Sequence, residues 1–408
     1  MNGTLNRWVV AAAAVVMQSG LGSFYAWSVF RQPLSSLYDT NVTDVNLAFF
    51  LANLVFGVAS LGAGLLMRRV DPRVVGVTGG LLYGLGVFLA SFATGSLPLL
   101  YLTYGFVAGA GLGLGYVAPV TVLPKWFPER PGLAYGIAVL GFGTGPLIST
   151  PLAVALISST GEPLSAFGIL GPIYAVVIGG AAFFLRSPLK DHELGGQRAA
   201  KREGENTMVA SLTRDFRGAL KTWQWYAIWV MFFLHTTAGL ALYSDARAMA
   251  TSIGGGTAAL AFAFIVLLAV ADMTGRLFWP TLSDRIGARN VFLAMFLVQA
   301  ASFFLLPLVG TGSFVAFSAL SCVVLACYGG GYGTIPALVD AYYGRRDIGT
   351  IYASIAIAAG VAGFGAPVLL AQSVDTTGSY DPALYATAGI MLVGTVISLL
   401  IRPPEPPR

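Results

Sequence analysis

An aspartate and an arginine four residues apart, Asp272 and Arg276, lie in an otherwise apolar stretch that runs from Ala258 to Leu282. A charge in the middle of a bilayer costs at least roughly 2.5–3.5 kcal/mol, so such residues usually face a protein interior or a watery cavity. At this spacing they share one helix face and can pair. A guanidinium offers a planar fork of donors to a carboxylate, and the aspartate can exchange a proton. The pair predicts an anion site with a proton switch.

The pair also has a purely structural interpretation, in which Arg276 snorkels to the membrane interface or links helices together, with Asp272 as its partner. The pair occurs in only one half of the internal repeat described below. A structural role would be expected in both halves, so a binding site explains the pair better. We expect Arg276 to bind a substrate carboxylate and Asp272 to couple a proton. His235 is a second candidate proton group, since histidine titrates near neutrality in water, or else a hydrogen-bonded part of the core.

The composition indicates a membrane protein. Apolar residues make up 56% of the 408 residues and charged residues only 10%, against roughly 25% charged residues in soluble domains. Twelve windows of about 20 mainly apolar residues, long enough to cross a ~30 Å hydrocarbon core, recur along the chain. They cover 8–30, 44–67, 73–94, 98–122, 132–157, 165–185, 223–249, 257–282, 287–309, 313–336, 348–371 and 381–401. We predict an all-α membrane protein with twelve transmembrane helices, because the alternating segments of a β-barrel are missing from the sequence.

The basic residues predict the orientation. With the N-terminus inside, nearly all Lys and Arg between segments fall on one side, here named the basic face, and only Arg31 and Arg247 lie near the other. By the positive-inside rule, both termini are then cytoplasmic, and the net charge of +5 needs no nucleic acid as partner. No sizeable outer loop carries a glycosylation signal, so we expect a multi-pass protein of a prokaryotic plasma (inner) membrane.

The longest polar interval separates six apolar segments from six. Its run LKDHELGGQRAAKREGENT is charged and lacks apolar periodicity, which is typical of a flexible connector. We predict an N-terminal six-helix bundle at 1–186, a cytoplasmic linker at 187–222 and a C-terminal six-helix bundle at 223–408. A short surface helix is expected near 209–220.

The two halves are weakly self-similar. Pro119 and Gly132 in the first half have counterparts in Pro336 and Gly349, each 217 residues later. An internal six-plus-six repeat is typical of transporters whose halves rock about a midplane site.

Several motifs carry a resemblance to a known family. The run GRLFWPTLSDRIGAR at 275–289 resembles the loop signature of the major facilitator superfamily, whose first-half copy near Arg68 is degenerate here. The run GAGLGLGY at 109–116, the turn at 125–136 and the run GFGTG at 141–145 are similar to the monocarboxylate porters and the oxalate:formate antiporters, two branches of that superfamily. The resemblance covers essentially the whole chain. It implies two pseudo-symmetric bundles, alternating access, and a helix-locking role for charged members of the loop signature.

The resemblance also implies that aromatic residues of segments one, four, five and ten line the central cavity, although helix packing explains each of them equally simply. The candidates are Tyr25, Tyr116, Phe142, Tyr328 and Tyr332. A small carboxylate would have its charged end on Arg276 and its apolar remainder against the rings, with tyrosine hydroxyls supplying hydrogen bonds.

Other protein classes lack their sequence signals. An enzyme needs a constellation of His, Cys, Asp or Glu with catalytic or metal-binding spacing, and a nucleotide-driven pump needs a phosphate-binding loop. The sequence has neither, and Cys322 and Cys327 lie in an apolar segment, where free cysteine behaves as a small hydrophobe. We expect no enzyme activity, no cofactor and no metal. The expected partners are a small organic carboxylate anion, a proton and the lipid bilayer.

One departure from the resembling proteins bears on the substrate. The resembling oxalate exchangers have a lysine in segment eleven, seven residues after a tyrosine near the loop. Here that tyrosine corresponds to Tyr352, and the residue seven positions later is Ala359. No lysine lies in any apolar segment, so two carboxylates would share Arg276. We expect a proton-coupled symporter of a monocarboxylate of the lactate, pyruvate or acetate kind that functions as a monomer. The alternative is an organic-anion antiporter of the oxalate:formate exchange type.

Overall fold

The computed structural model describes residues 6–188, 215–309 and 313–404, and all regular elements within these ranges are helices. Most of the predicted linker therefore lies outside the described residues, and the division of the chain at 187–222 stays a prediction. The expected surface helix near 209–220 is seen in part, as a short helix at Phe216–Leu220.

Twelve long helices follow one another in the predicted order. They are α1 (Arg7–Tyr38), α2 (Val42–Leu66), α3 (Pro72–Ala90), α4 (Leu97–Trp126), α5 (Pro131–Thr160), α6 (Pro163–Ala182), α7 (Trp223–Ser244), α8 (Ala258–Ile286), α9 (Ala288–Val309), α10 (Phe314–Tyr343), α11 (Ile348–Thr377) and α12 (Asp381–Leu400). Among the described residues, eleven are long and apolar enough to cross a membrane, and α11 contributes a shorter apolar stretch at Ile348–Gly363. The predicted all-α, twelve-helix membrane fold is confirmed.

Helix ends depart from the apolar windows for local reasons. Helices α1 and α10 run several residues beyond their windows, because a helix continues through the polar interface after its apolar part ends. Helix α7 ends earlier than expected, at Ser244, and Ala246–Ser252 forms a separate short helix. Asn41 and Asp71 cap α2 and α3 with side-chain oxygens that accept backbone N–H groups of the first turn.

Two of the helices are irregular, α1 near its middle and α4 close to its N-terminal end. Helix α1 is interrupted by a 3₁₀ turn at Ser23–Ala26, which carries Tyr25. Helix α4 contains a π-helical stretch at Tyr101–Ala108. Such irregular turns redirect side chains and are frequent at functional sites.

The two halves meet along α2 with α11 and along α5 with α8. On the basic face, α2 and α11 approach so closely that a Cβ on Gly64 would lie 2.7 Å from the carbonyl oxygen of Gly349. There Thr350 donates a hydrogen bond to the Gly64 carbonyl oxygen at 2.8 Å. Small residues allow this close backbone contact. Such packing holds the helices together in lipid, where the hydrophobic effect does not drive helices to associate.

Candidate functional site

Helix α8 carries the predicted pair into the centre of the molecule. Arg276 Nε donates a hydrogen bond to Asp272 Oδ2 at 3.0 Å, across one helical turn. The relative exposure of Arg276 is 0% and that of Asp272 is 3%, so neither charge reaches the lipid or either membrane surface. Arg276 therefore does not extend to the membrane interface, as the snorkelling interpretation required.

Part of the pair's hydrogen-bonding capacity is unused. Within the part of the chain that the structure describes, neither Nη atom of Arg276 nor Oδ1 of Asp272 has a hydrogen-bond partner. A buried polar group left unpaired costs about 1–3 kcal/mol, and more when it is charged. Asp272 binds Nε and leaves the two Nη donors unoccupied, so these donors are free to bind an anion.

Two aromatic rings flank the guanidinium. The Cζ atom of Arg276 lies 5.5 Å from the ring centroid of Phe142 and 4.9 Å from that of Tyr332. A desolvated cation–π contact is worth about 2 kcal/mol, so both rings stabilise the charge and hold its plane. Phe142 belongs to α5 and Tyr332 to α10, so both halves of the molecule grip the guanidinium.

Glycines of the same two helices bring backbone against Asp272. A Cβ on Gly143 would lie 2.9 Å from Asp272 Oδ2 and 3.0 Å from Arg276 Nε. A Cβ on Gly329 would lie 2.5 Å from Asp272 Oδ1. Since real Cβ atoms avoid such distances, the ion pair occupies space that only glycine leaves open, and larger residues there would displace it.

Tyrosine hydroxyls form the polar rim of the site. The hydroxyls of Tyr25 and Tyr328 are 3.0 Å apart, and those of Tyr328 and Tyr332 are 3.2 Å apart. The first of these bonds links α1 to α10 and so joins the two halves. On the other side, the Tyr352 hydroxyl donates to the Tyr116 hydroxyl at 3.3 Å.

A small cavity of about 20 Å³ lies beside these rings. It is lined by Phe24, Tyr25, Asn53, Phe56, Leu112, Tyr116, Phe142, Tyr332 and Ala359. This volume holds about one water molecule, so a carboxylate can enter only when helices move apart. Four of the five predicted aromatic residues line the cavity, and the fifth, Tyr328, hydrogen-bonds to two of them.

Sequence reasoning missed several residues that surround the cavity. Asn53 and Phe56 reach it from α2, and Tyr352 extends the hydroxyl cluster from α11. Tyr243 of α7 stacks on Tyr25 with ring centroids 5.8 Å apart. The one available signal was Asn53, an amide inside an apolar segment, because buried polar groups in membrane helices tend to have a function.

His235 lies on the far side of α10. Its Nε2 is 3.1 Å from the Cys327 carbonyl oxygen, and its ring packs between Phe292 and Phe296. Gly331 faces His235 and Gly329 faces Asp272, and residues two apart point about 200° away from each other on a helix with 3.6 residues per turn. The α10 backbone therefore separates the histidine from the ion pair.

The basic face is closed by polar contacts between the halves. Asp284, at the end of α8, accepts the backbone N–H groups of Gly132 and Leu133 at 2.6 and 3.0 Å. Both residues lie in the first turn of α5, where a carboxylate complements the positive end of the helix dipole. Where the end of α2 meets the start of α11, the Arg68 Nη2 atom lies 3.6 Å from Asp347 Oδ2.

Near the opposite face, Asp245 follows the last residue of α7. Burial raises the pKa of its carboxyl, and the charge of Arg31 on α1 partly offsets that effect. This carboxylate and Arg31 come from different halves and attract each other, so the ends of α1 and α7 are electrostatically linked. Nothing is described of the Arg247 side chain.

Comparisons with known proteins agree with this architecture. The sequence profile of the Major Facilitator Superfamily matches residues 12–367 and 248–408. The chain is 26% identical over 409 residues to the oxalate:formate antiporter of Oxalobacter formigenes, with 98% of this chain and 92% of that protein covered. It is 27% identical to mouse monocarboxylate transporter 12, with 79% of this chain and 70% of that protein covered. The fold is similar to that of FucP in its outward conformation, with a TM-score of 0.68 at 17% identity over 95% of this chain and 97% of FucP.

Proposed function

The chain belongs to the Major Facilitator Superfamily, and from this premise we propose that it carries a small monocarboxylate together with a proton across the membrane by alternating access. The family prediction is confirmed, and with it the prediction that this multi-pass membrane protein is a transporter and not an enzyme. The observation that carries the proposal is the buried guanidinium of Arg276, whose two Nη donors are unpaired among the described residues.

The donor geometry and the surrounding surface support a monocarboxylate. Two parallel N–H groups match the two oxygens of one carboxylate, and such bidentate, charge-assisted bonds are among the strongest in proteins. The adjacent cavity is lined mainly by aromatic and aliphatic side chains. Ala359 lines it as well, so a second carboxylate at that end would meet a methyl group instead of a cation.

Charge balance supports a role for Asp272 in proton coupling. Ionised, the Asp272–Arg276 pair is neutral, and an incoming carboxylate would leave the buried site with one net negative charge. An unbalanced charge is expensive in a medium of low polarity. Protonation of Asp272 restores neutrality and frees Arg276 for the substrate, so substrate and proton enter together.

The closed basic face supports the alternating-access part of the proposal. Contacts between α5 and α8 and between α2 and α11 seal this side. Rocking of the halves would break these contacts and open the site toward the basic face. We place that face, with both termini, in the cytoplasm of a prokaryotic cell and take the monomer as the functional unit.

Anion exchange is the second candidate. It is favoured by the match to the oxalate:formate antiporter, which spans nearly the whole chain. In an exchanger Asp272 would keep one charge state throughout the cycle, because one anion replaces another. Among the described residues, Arg276 is the one cation beside the cavity, which makes oxalate itself a poor fit.

Uptake of radiolabelled lactate, acetate, formate and oxalate into proteoliposomes, with and without an inward proton gradient, tests the proposal. We expect gradient-stimulated uptake of a monoanion, and loss of that stimulation in Asp272→Asn. Asp39→Asn is the matched control, since Asp39 is an exposed residue with a φ of 48° that asparagine tolerates. Gradient-independent exchange that is undiminished in Asp272→Asn would favour the antiporter instead.

A further inference from the structure

A groove of about 420 Å³ runs along the outer surface of the molecule where α1 crosses α6. It is lined by Val9, Ala12, Ala13, Val16, Val176, Val177, Gly180, Ala181 and Phe184. All nine residues are apolar, and the small ones in the middle of each helix create the depression. The groove begins near the basic face, where α1 starts and α6 ends, and extends toward the membrane centre.

Two arginines stand at the basic end of this groove. The Cζ atom of Arg73 lies 3.4 Å from the ring centroid of Phe183, and that of Arg186 lies 5.7 Å from the same ring. Phe183 directly precedes Phe184, which forms part of the groove wall. The two guanidinium groups therefore lie at the same end of α6 as the end of the apolar groove.

Neither arginine is neutralised within the described part of the chain. The ion pairs found there involve Arg7, Arg68, Arg276 and Arg345, and none includes Arg73 or Arg186. The carboxylate nearest to Arg73 along the chain, Asp71, uses Oδ1 to accept the backbone N–H of Arg73. Among the described residues, two positive charges thus remain beside an apolar channel of the size of an acyl chain.

We propose that this surface is a binding site for an anionic phospholipid, with the phosphate between Arg73 and Arg186 and one acyl chain along the groove. Guanidinium groups match phosphate oxygens in geometry and charge, and basic pockets between membrane helices select anionic headgroups. The ring of Phe183 holds both arginines at the height of the headgroups. This site is separate from the transport pathway and does not rest on the proposed substrate.

Native mass spectrometry of the purified protein with equal amounts of phosphatidylglycerol and phosphatidylcholine of the same chains tests the headgroup. A basic residue at an anionic surface favours binding about fivefold, so Arg73→Gln/Arg186→Gln is expected to lower phosphatidylglycerol retention roughly 25-fold. The matched control is Arg69→Gln/Arg285→Gln, which removes two charges elsewhere on the basic face. Equal retention of both lipids by the wild type, or an equal loss in both double variants, overturns the proposal.

The groove is tested separately by filling it. A Cβ on Gly180 meets nothing within 4 Å, so Gly180→Phe can place its ring in the groove without disturbing helix packing. Gly62 on α2 is open in the same way, which makes Gly62→Phe the matched control. We expect only Gly180→Phe to lower phosphatidylglycerol retention, to the level of the arginine double variant. If Gly180→Phe retains as much phosphatidylglycerol as the wild type, the acyl chain does not bind in the groove.

A soluble competitor distinguishes the lipid from free phosphate. Glycerol phosphate carries the same phosphate chemistry without acyl chains, and we expect that a large excess of it leaves the bound phosphatidylglycerol in place. Displacement by glycerol phosphate would show that the arginines bind any phosphate and that the groove plays no part.

Discussion

The two halves are joined by different kinds of contact at the central site and at the basic face. At the basic face several of the polar groups that meet are paired, as Asp284 is with the start of α5 and Thr350 with Gly64. At the central site, Arg276 keeps two buried donors without a partner among the described residues. Paired contacts stabilise one conformation, whereas unpaired buried donors favour a ligand. We therefore propose that the basic face locks the conformation and that the centre binds the substrate.

The largest expected effect comes from removing the donors at the centre. Arg276→Gln deletes two charge-assisted hydrogen bonds to substrate, each worth about 1.5–3 kcal/mol, so carboxylate uptake should fall roughly a hundredfold or more. It also leaves Asp272 buried without its cation, which costs about 3–5 kcal/mol. Proteoliposome uptake and the thermal unfolding midpoint measure the two effects.

The neutral double variant Arg276→Gln/Asp272→Asn separates binding from stability. It removes the unpaired buried charge, so we expect much of the thermal stability to return while uptake stays absent. Recovery of uptake in this variant would mean that the pair holds the fold and that the substrate binds elsewhere.

The next largest effect concerns Ala359, which lines the cavity. Ala359→Lys adds a second cationic donor to this region, and a charge-assisted hydrogen bond should raise oxalate uptake relative to lactate roughly tenfold. Ala359→Met is the control, because it adds similar length without charge and should weaken uptake of both anions alike. An unchanged substrate ratio in Ala359→Lys would place the binding site away from this cavity.

A smaller effect is expected at the basic face. Asp284→Asn weakens the charge–dipole contact with α5 by about 1 kcal/mol, so the face should open roughly fivefold more often. Thiol labelling of Ala353→Cys, a position in the α2–α11 seam, in a background lacking Cys322 and Cys327 reports this opening. Asp71→Asn is the control, since Asp71 caps a helix of its own half. Faster labelling in both variants would point to general loosening instead of a lost lock.

The smallest effect is expected where the two kinds of contact overlap. Tyr25→Phe removes one neutral hydroxyl bond between the halves, worth about 0.5–1.5 kcal/mol, and should change the Michaelis constant for uptake about threefold. Tyr226 is exposed to the membrane, so Tyr226→Phe should have no effect. A loss of uptake as large as that expected for Arg276→Gln would mean that the Tyr25–Tyr328 hydrogen bond also helps to hold the halves in one conformation.

The helices and the ion pair were predictable because their signals are local. Twenty apolar residues suffice to place a membrane helix, and the four-residue spacing suffices to bring Asp272 beside Arg276. The exact helix ends were less predictable, since α7 stops at Ser244, just before Asp245, whereas the apolar window extends to residue 249.

Contacts across the halves were not predictable in the same way. Tyr352 meets Tyr116 across 236 residues of sequence, and the facing sides of α2 and α11 have no periodic signal of their own. For His235, the sequence indicates a polar group inside a helix but not the side of α10 on which it lies. These features depend on how the helices rotate when they pack, which is decided by the whole assembly.

The size of the central cavity bears on how well the idle protein insulates the membrane. Protons cross membrane proteins along unbroken files of hydrogen-bonded water, and a space of about 20 Å³ holds only about one such molecule. In this conformation the described cavity between the tyrosine rings has no room for such a file of water molecules. With the proton coupling proposed above, such a carrier can therefore wait without substrate and without dissipating the proton gradient.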